Sequence, residues 1–360
     1  MRALTVHGPG DVRVVDMPDP RPDDGEVLLA VEWGGLCGSD LSYWRHGASG
    51  TARLRRPMVL GHEVAGSVVA TGRGVSGIPL GLRAAVHPAT PSHEPLPPRL
   101  AGRTNLHAEV RYLGSAAFDP HTDGGFAELL RVRVDQLRPL PPEVTTRHGA
   151  LAEPLGVALH AVRRAGGLNG REVLVNGCGP IGALIVAAAR HEGAGRIIVC
   201  DLARGAVEVA RRMGADEVRV LGEDDELPED VEVTFEASGS PAALRGVLRA
   251  TARGGTIVQV GNLPGTAAES VLGDLVTREL TWVGAYRFVD EITEAIDAMG
   301  AGLDVSPVIT HEFDLDQAGE ALAVAADRAS GASKVMLRVR TTSPSEETTS
   351  HPGRDLPAKE

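Results

Sequence analysis

The chain reads as an α/β protein in two parts, an antiparallel, barrel-like unit and a doubly wound, six-stranded parallel sheet. Three observations predict this. Up to about residue 144, short β-like runs are broken repeatedly by Gly and Pro. After Gly166-Gly167, short apolar strands alternate with longer helical segments. At the first of these alternations a Gly-x-Gly-x-x-Gly turn stands between strand and helix.

Size and charge bound the rest. A chain of 360 residues exceeds one ordinary core, and 42% hydrophobic with 23% charged residues is a globular balance, so two domains are expected. A net charge of −12 repels nucleic acid and anionic membrane surfaces, which leaves a small molecule as the expected partner. No window reaches about 18 uninterrupted apolar residues, so no membrane span is expected. Only Cys37, Cys178 and Cys200 are present, too few for a disulfide framework, and Met1-Arg2-Ala3-Leu4 enters a strand without a signal-type apolar core. A cytoplasmic location is expected.

In chain order, Glu26-Val27-Leu28-Leu29-Ala30-Val31, Val64-Ala65-Gly66-Ser67-Val68-Val69, Leu82-Arg83-Ala84-Ala85-Val86 and Phe126-Ala127-Glu128-Leu129-Leu130-Arg131-Val132 are the barrel strands. Leu155, Val157, Leu159 and Val162 then lie on a helix-like run. Parallel strands are predicted at 172–176, 196–200, 217–220, 231–235, 256–260 and 280–284, with helical patterns between them. A further helix at 292–299 precedes a strand at 334–339, which is expected to rejoin the first unit. The expected domains are therefore 1–152, completed by 285–340, and 153–284. Residues 341–360, rich in Thr, Ser, Pro and Glu, are expected to be a disordered tail.

In Asn176-Gly177-Cys178-Gly179-Pro180-Ile181-Gly182 the first Gly permits a tight turn. The second lets backbone N–H groups approach a pyrophosphate, and the third lets helix and strand pack closely. Asp201 ends the next strand 19 residues beyond Gly182, where a carboxylate accepts the adenosine ribose hydroxyls and repels a 2′-phosphate. NAD is thus favoured over NADP, although Arg204 is placed to serve the latter. Cys178, between two glycines, reads as a small filler. Val260-Gly261 and Glu236-Ala237-Ser238-Gly239 end strands on the side where the nicotinamide ribose is expected.

The stretch from Trp33 to Glu63 carries the chemistry. Cys37, in Gly35-Leu36-Cys37-Gly38-Ser39-Asp40, and His62, in Gly61-His62-Glu63, offer a thiolate and an imidazole, donors that suit zinc better than magnesium or calcium. The bland alternative is a buried core Cys and unrelated polar residues. A catalytic zinc takes three protein ligands and leaves one position open. The third ligand is either Glu63 or Glu153, the latter in Ala152-Glu153-Pro154-Leu155, and the sequence leaves both open. Ser39 is placed to relay the substrate proton, and Asp40 to hold the imidazole N–H of His62. The alternative for both is a turn with local capping bonds.

These segments, with Gly124-Gly125-Phe126-Ala127-Glu128 and the glycine turn, occur in the order found in zinc-containing medium-chain alcohol and polyol dehydrogenases, and the chain resembles that family over residues 1 to about 340. Within it the chain looks most like L-idonate 5-dehydrogenases, through Tyr43-Trp44-Arg45-His46-Gly47, Pro57-Met58-Val59-Leu60 and Arg111-Tyr112-Leu113-Gly114-Ser115, and through Gln259-Val260-Gly261-Asn262-Leu263-Pro264. Sorbitol dehydrogenases are next. The resemblance implies a GroES-like catalytic barrel, a Rossmann domain, oxidation of a secondary hydroxyl of a sugar acid or polyol by NAD, and a homodimer or homotetramer. It also implies that Arg287, after the last parallel strand, faces the substrate, where it could pair with a carboxylate. Tyr43 is a second substrate candidate, with core packing as its alternative.

Two departures from the family stand out. Most relatives carry a structural zinc on four cysteines spaced C-x2-C-x2-C-x7-C, and here Ser92, Pro95, Pro98 and Leu106 occupy those places. One catalytic zinc and no structural zinc is expected; His93, Glu94 and His107 make a poor substitute. Ser42 stands where relatives usually have a relay histidine. A metal-free quinone or enone reductase is disfavoured by Cys37, His62 and Glu153 together, and a non-catalytic relative remains as the other rival, because fold alone does not settle function.

Overall fold

A computed structural model describes residues 1–90, 92, 94–222, 226–263 and 272–340. The tail at 341–360, together with His93 and Pro264, lies outside the described residues.

Glu26–Gly35 is the spine of the first sheet. Its apolar side chains, among them Val27, Leu29 and Val31, are buried with Val64, Val68, Phe126 and Leu337 in one core. Glu63–Thr71 pairs antiparallel along one edge. The other edge is shared: Leu129–Arg133 pairs with the first half and Lys334–Arg338 with the second, Met336 standing opposite Gly35. The sheet runs Leu137–Pro139, Arg83–Val86, Glu63–Thr71, Glu26–Gly35, Lys334–Arg338, Ile309–Asp314, with Leu129–Arg133 as its seventh strand. The segment at 334–338 thus pairs with one strand from the start of the chain, Glu26–Gly35, and on its other side with Ile309–Asp314.

The second sheet is parallel and six-stranded: Glu217–Val220, Arg196–Asp201, Glu172–Asn176, Val231–Glu236, Thr251–Gln259, Thr281–Gly284. In chain order this is 3-2-1-4-5-6, the doubly wound arrangement whose crevice opens at the carboxyl ends of the first and fourth strands. Val173, Leu174 and Val175 are buried, as strands covered by helices on both faces must be. The one boundary displaced by more than a residue is the start of Thr251–Gln259, expected at 256. Gly254 and Gly255 read as punctuation in the sequence but lie inside the strand, beside a register irregularity between Val231 and Val233.

The helix Ala152–Arg164 joins the two sheets and presents Glu153 in its first turn. It packs on Glu291–Gly300 through Gly156, where a Cβ would come within 3.0 Å of the Ile292 nitrogen. On the same face His160 Nδ1 lies 2.8 Å from Glu291 Oε1, both residues being buried. Burial alone would raise the Glu291 carboxyl. The His160 bond and main-chain N–H donors, including that of Val289 at 2.7 Å, hold it instead near 2, against an ordinary 4.5.

A carboxyl held below its unfolded value stabilises the fold fully above that value and loses the contribution as pH falls toward the folded one. For Glu291 the window is therefore about 4.5 down to about 2, and the gap corresponds to about 3 kcal/mol. Glu291→Gln is expected to lower stability near neutral pH by up to that amount, with the difference from the parent protein vanishing on acidification. Denaturant unfolding across the acid range would measure this, and a difference independent of pH would contradict it.

Candidate active site

The strand Glu26–Gly35 ends two residues before Cys37, which caps the helix Gly38–His46 from an extended conformation. Asp40, fully buried in the first turn, accepts the Cys37 N–H at 2.9 Å and the Gly61 N–H at 3.1 Å. The expected bond from Asp40 to the His62 imidazole is absent among the described residues. Its two oxygens instead clamp the main chains of the two segments that carry Cys37 and His62, because those N–H groups converge on it. Burial raises the Asp40 carboxyl above its ordinary range despite the nearby His62. Gly61 turns the chain into His62 with φ 96°, and a Cβ there would lie 2.4 Å from Phe126, so glycine is required.

The ligand atoms of Cys37, His62 and Glu63 lie within 4.8 Å of one another. Glu63 is also bridged by a buried cation that the sequence reading did not single out: Lys334 Nζ donates to its two oxygens at 2.8 and 2.6 Å and to the Leu36 carbonyl at 3.0 Å. Burial would depress the lysine, but Glu63 first and then Cys37 hold it protonated. Burial raises the Glu63 carboxyl against that pull. At His62, burial is outweighed by Cys37, Asp40 and Glu153, which lift the imidazole to about 10. This is a buried, anion-rich pocket with sulfur, nitrogen and oxygen donors converging, and it fits zinc. The clearest sequence signal for Lys334 is that lysine occurs only there and at 359.

Glu153 is beside this group without belonging to its tightest triad. Its Oε1 accepts the Tyr112 hydroxyl at 2.6 Å. Tyr112, buried, meets the His62 ring edge-on at 5.7 Å. Burial and then the Glu153 charge keep its phenol protonated well above the ordinary range. Nothing local in the sequence signals this role for Tyr112, since only the fold sets it against Glu153. The Arg287 guanidinium lies over the Tyr112 ring at 3.9 Å and the Tyr286 ring at 4.9 Å. Tyr43 stands apart in the first core, its hydroxyl accepting the Ala116 N–H at 3.0 Å. Ser39 is half-buried at the helix start, and Ser42 Oγ donates to the Gly38 carbonyl at 2.9 Å.

In the glycine turn, Gly177 takes φ 90° under Ser238, and a Cβ on Gly182 would strike the Gly177 carbonyl at 2.0 Å. Gly179 caps the helix Pro180–His191, with Pro180 in the first turn and Ile181 beside it. Asp201 accepts the Cys178 N–H at 2.6 Å and the Ala203 N–H at 2.8 Å, so it braces the turn it flanks. Arg204 begins the next helix, Arg204–Arg212. Val260 and Gly261 both donate to the Glu236 carbonyl at 2.9 Å, which sets them beside the same crevice. In the loop-rich lobe formed by the described residues of 87–123, between the strands Arg83–Val86 and Leu129–Arg133, His107 Nε2 lies 3.1 Å from the Glu94 carbonyl oxygen.

Residues 23–142 match the alcohol dehydrogenase GroES-like domain, and residues 180–301 match the zinc-binding dehydrogenase domain. Sorbitol dehydrogenase of Bos taurus is 37% identical over 333 residues, covering 89% of this chain and 91% of that one. The chain belongs to the zinc-containing medium-chain alcohol and polyol dehydrogenases. The crystal structure of L-idonate 5-dehydrogenase from Escherichia coli K-12 is similar at a TM-score of 0.88 and 33% identity, over 94% of this chain and 97% of that one. An alcohol dehydrogenase from Escherichia coli CFT073 complexed with NADH is similar at 0.84 and 26% identity, over 94% and 99%. This dehydrogenase therefore joins a GroES-like domain to a Rossmann-like parallel sheet and is a zinc-dependent alcohol or polyol oxidoreductase. No helix among the described residues is long and apolar enough to cross a membrane.

Removing one partner of a buried ion pair strands the other charge, at about 3–5 kcal/mol. Lys334→Met should lower the stability of the zinc-free dehydrogenase by that order in urea denaturation with chelator present. A loss under about 1 kcal/mol would mean that water or another cation reaches Glu63.

Proposed function

We propose that this dehydrogenase oxidises a secondary hydroxyl of a sugar acid or polyol with NAD, with L-idonate to 5-ketogluconate as the favoured conversion. The observation that carries the sugar-acid reading is Arg287. Its guanidinium is stacked on Tyr112, one side chain from Glu153 and His62, and has no hydrogen bond or ion pair with another described residue. Ring faces hold a cation without neutralising it, so the charge stays available to a carboxylate. A neutral polyol of the sorbitol or xylitol type is the second reading, favoured by the 37% identity with bovine sorbitol dehydrogenase.

In this proposal Cys37, His62 and Glu63 hold one zinc ion, and Glu153 stands beside it with its Tyr112 bond. Zinc there supplies Lewis acidity toward the substrate hydroxyl, and NAD accepts hydride. Ser39 takes the hydroxyl proton. Ser42, already donating to Gly38, leaves onward transfer to the cofactor ribose or water. Gly177, Gly179, Pro180, Ile181, Gly182, Val260 and Gly261 frame the dinucleotide, and the Asp201 charge favours NAD over a 2′-phosphate. Tyr43 supports the substrate pocket from within the core. The reading includes the division into 1–152 with 285–340 and 153–284, absence of a structural zinc, a homodimer or homotetramer, and a cytoplasmic location.

NAD reduction is to be followed with L-idonate, D-gluconate, sorbitol, xylitol and L-threonine, with zinc measured on the same sample and Cys37→Ala as control. The expected result is highest kcat/KM for L-idonate, about one zinc per chain, and neither zinc nor turnover in the control. Higher kcat/KM for sorbitol or xylitol would select the second reading, and full activity in Cys37→Ala would remove the metal site. Separately, Asp201→Ser should shift the NAD-to-NADP preference by about tenfold, roughly 1.4 kcal/mol. An unchanged ratio would detach Asp201 from cofactor choice.

A further inference from the structure

Tyr286 and Arg287 follow the last parallel strand, Thr281–Gly284, in a turn where Arg287 takes φ 52°. Left-handed backbone is uncommon for so large a side chain and persists only where neighbours over-determine it. Those neighbours come from the lobe and the first sheet. His87 Nε2 lies 2.9 Å from the Val289 carbonyl oxygen, and Arg138 pairs with Asp290 at 2.7 Å. Asn105, 181 positions away in sequence and buried, donates Nδ2 to the Tyr286 carbonyl at 2.7 Å. Of the three, only Asn105 grips the peptide group between Tyr286 and Arg287, and so the plane about which the arginine φ is set.

A second observation bears on why an amide stands there. Asn105 Oδ1 is buried with no hydrogen-bond partner among the described residues. An unpaired buried acceptor is a cost that an apolar side chain of similar size would avoid. What the amide supplies there, and an apolar side chain would not, is the bond it donates.

We propose that Asn105 is a positioning residue for substrate recognition: by holding the Tyr286–Arg287 peptide it keeps the guanidinium between the Tyr112 and Tyr286 rings, aimed at a substrate carboxylate. The inference rests on reading Arg287 as the cation that meets the substrate. It gives the lobe a role in specificity, since the residue that orients the arginine belongs to the lobe and not to the arginine's own segment.

A double-mutant cycle between Asn105 and Arg287 tests it. Asn105→Ala is expected to raise KM for L-idonate about tenfold, with kcat within about threefold and KM for NAD unchanged. In an Arg287→Ala background the same substitution should change KM less than about twofold, because its effect runs through the arginine. An equal factor in both backgrounds, or no effect in either, would overturn the proposal, as would a parallel fall in kcat and NAD binding. Asn105→Ser, which keeps a donor but shortens it, is the second variant, with zinc content and NADH binding reporting folding. Failure of both variants to fold would assign Asn105 to the fold and overturn the proposal. The substrate reading fails separately, if Arg287→Ala raises KM for L-idonate and for neutral sorbitol by the same factor. The cycle run on sorbitol then still decides whether Asn105 acts through Arg287.

Discussion

Lys334 and Glu63 are both almost wholly out of water, 271 positions apart, and their contact ties the end of the described chain to the stretch that carries Cys37, His62 and Glu63. Two buried charges cost more than their attraction returns unless geometry is close and the remaining bonds are made. Here the ammonium bonds to both Glu63 oxygens and to the Leu36 carbonyl. The strand Lys334–Arg338 must consequently lie in register against Glu26–Gly35, and the crossing strands must come close. A Cβ on Gly35 would lie 2.2 Å from Glu63 Oε2 and 3.3 Å from Lys334 Cδ. Strand order, the glycine at 35 and the direction in which Glu63 points are thus one constraint expressed three times.

What the sequence made legible follows from interactions that are local. Period-two and period-3.6 patterns reflect which face of one element is apolar, so the six parallel strands appeared at nearly their observed positions. The glycine turn and Cys37-to-Asp40 were readable because their function depends on residues a few positions apart. Asp40 marks the limit. Its place beside Cys37 was visible, but which donors meet its oxygens depends on Gly61 arriving 21 positions later. The same limit left Glu63 and Glu153 undecided, and it hid Tyr112 and Lys334 altogether. Their roles exist only once strands and helices distant in sequence are packed together.

From the Cys37–His62–Glu63 cluster outward, polar and aromatic groups form a continuous row: His62 meets Tyr112, Tyr112 donates to Glu153, and Arg287 lies on the Tyr112 ring. The row crosses from the first sheet, through the lobe, to the helix at 152–164 and the segment after the parallel sheet. Tyr112 is its pivot because a phenol offers a hydroxyl edge to a carboxylate and a π face to a cation at once. A phenylalanine there would keep the stacking and lose the bond to Glu153, whereas an aliphatic residue would lose both.

The lobe shows how such a row survives without four thiolates. A structural zinc would tie a loop-rich segment to itself. Here the described lobe is tied instead to what it faces, through Asn105 to Tyr286, His87 to Val289, and Tyr112 to Glu153. Those contacts all end on Glu153 or on the segment 286–289, which carries Arg287. The lobe is thus held against the surfaces it faces without a thiolate cross-link of its own. Lobe and segment 286–289 are thereby held as one unit: the lobe meets Arg287 at two points, the Tyr112 ring under its guanidinium and the Asn105 amide on the peptide that precedes it.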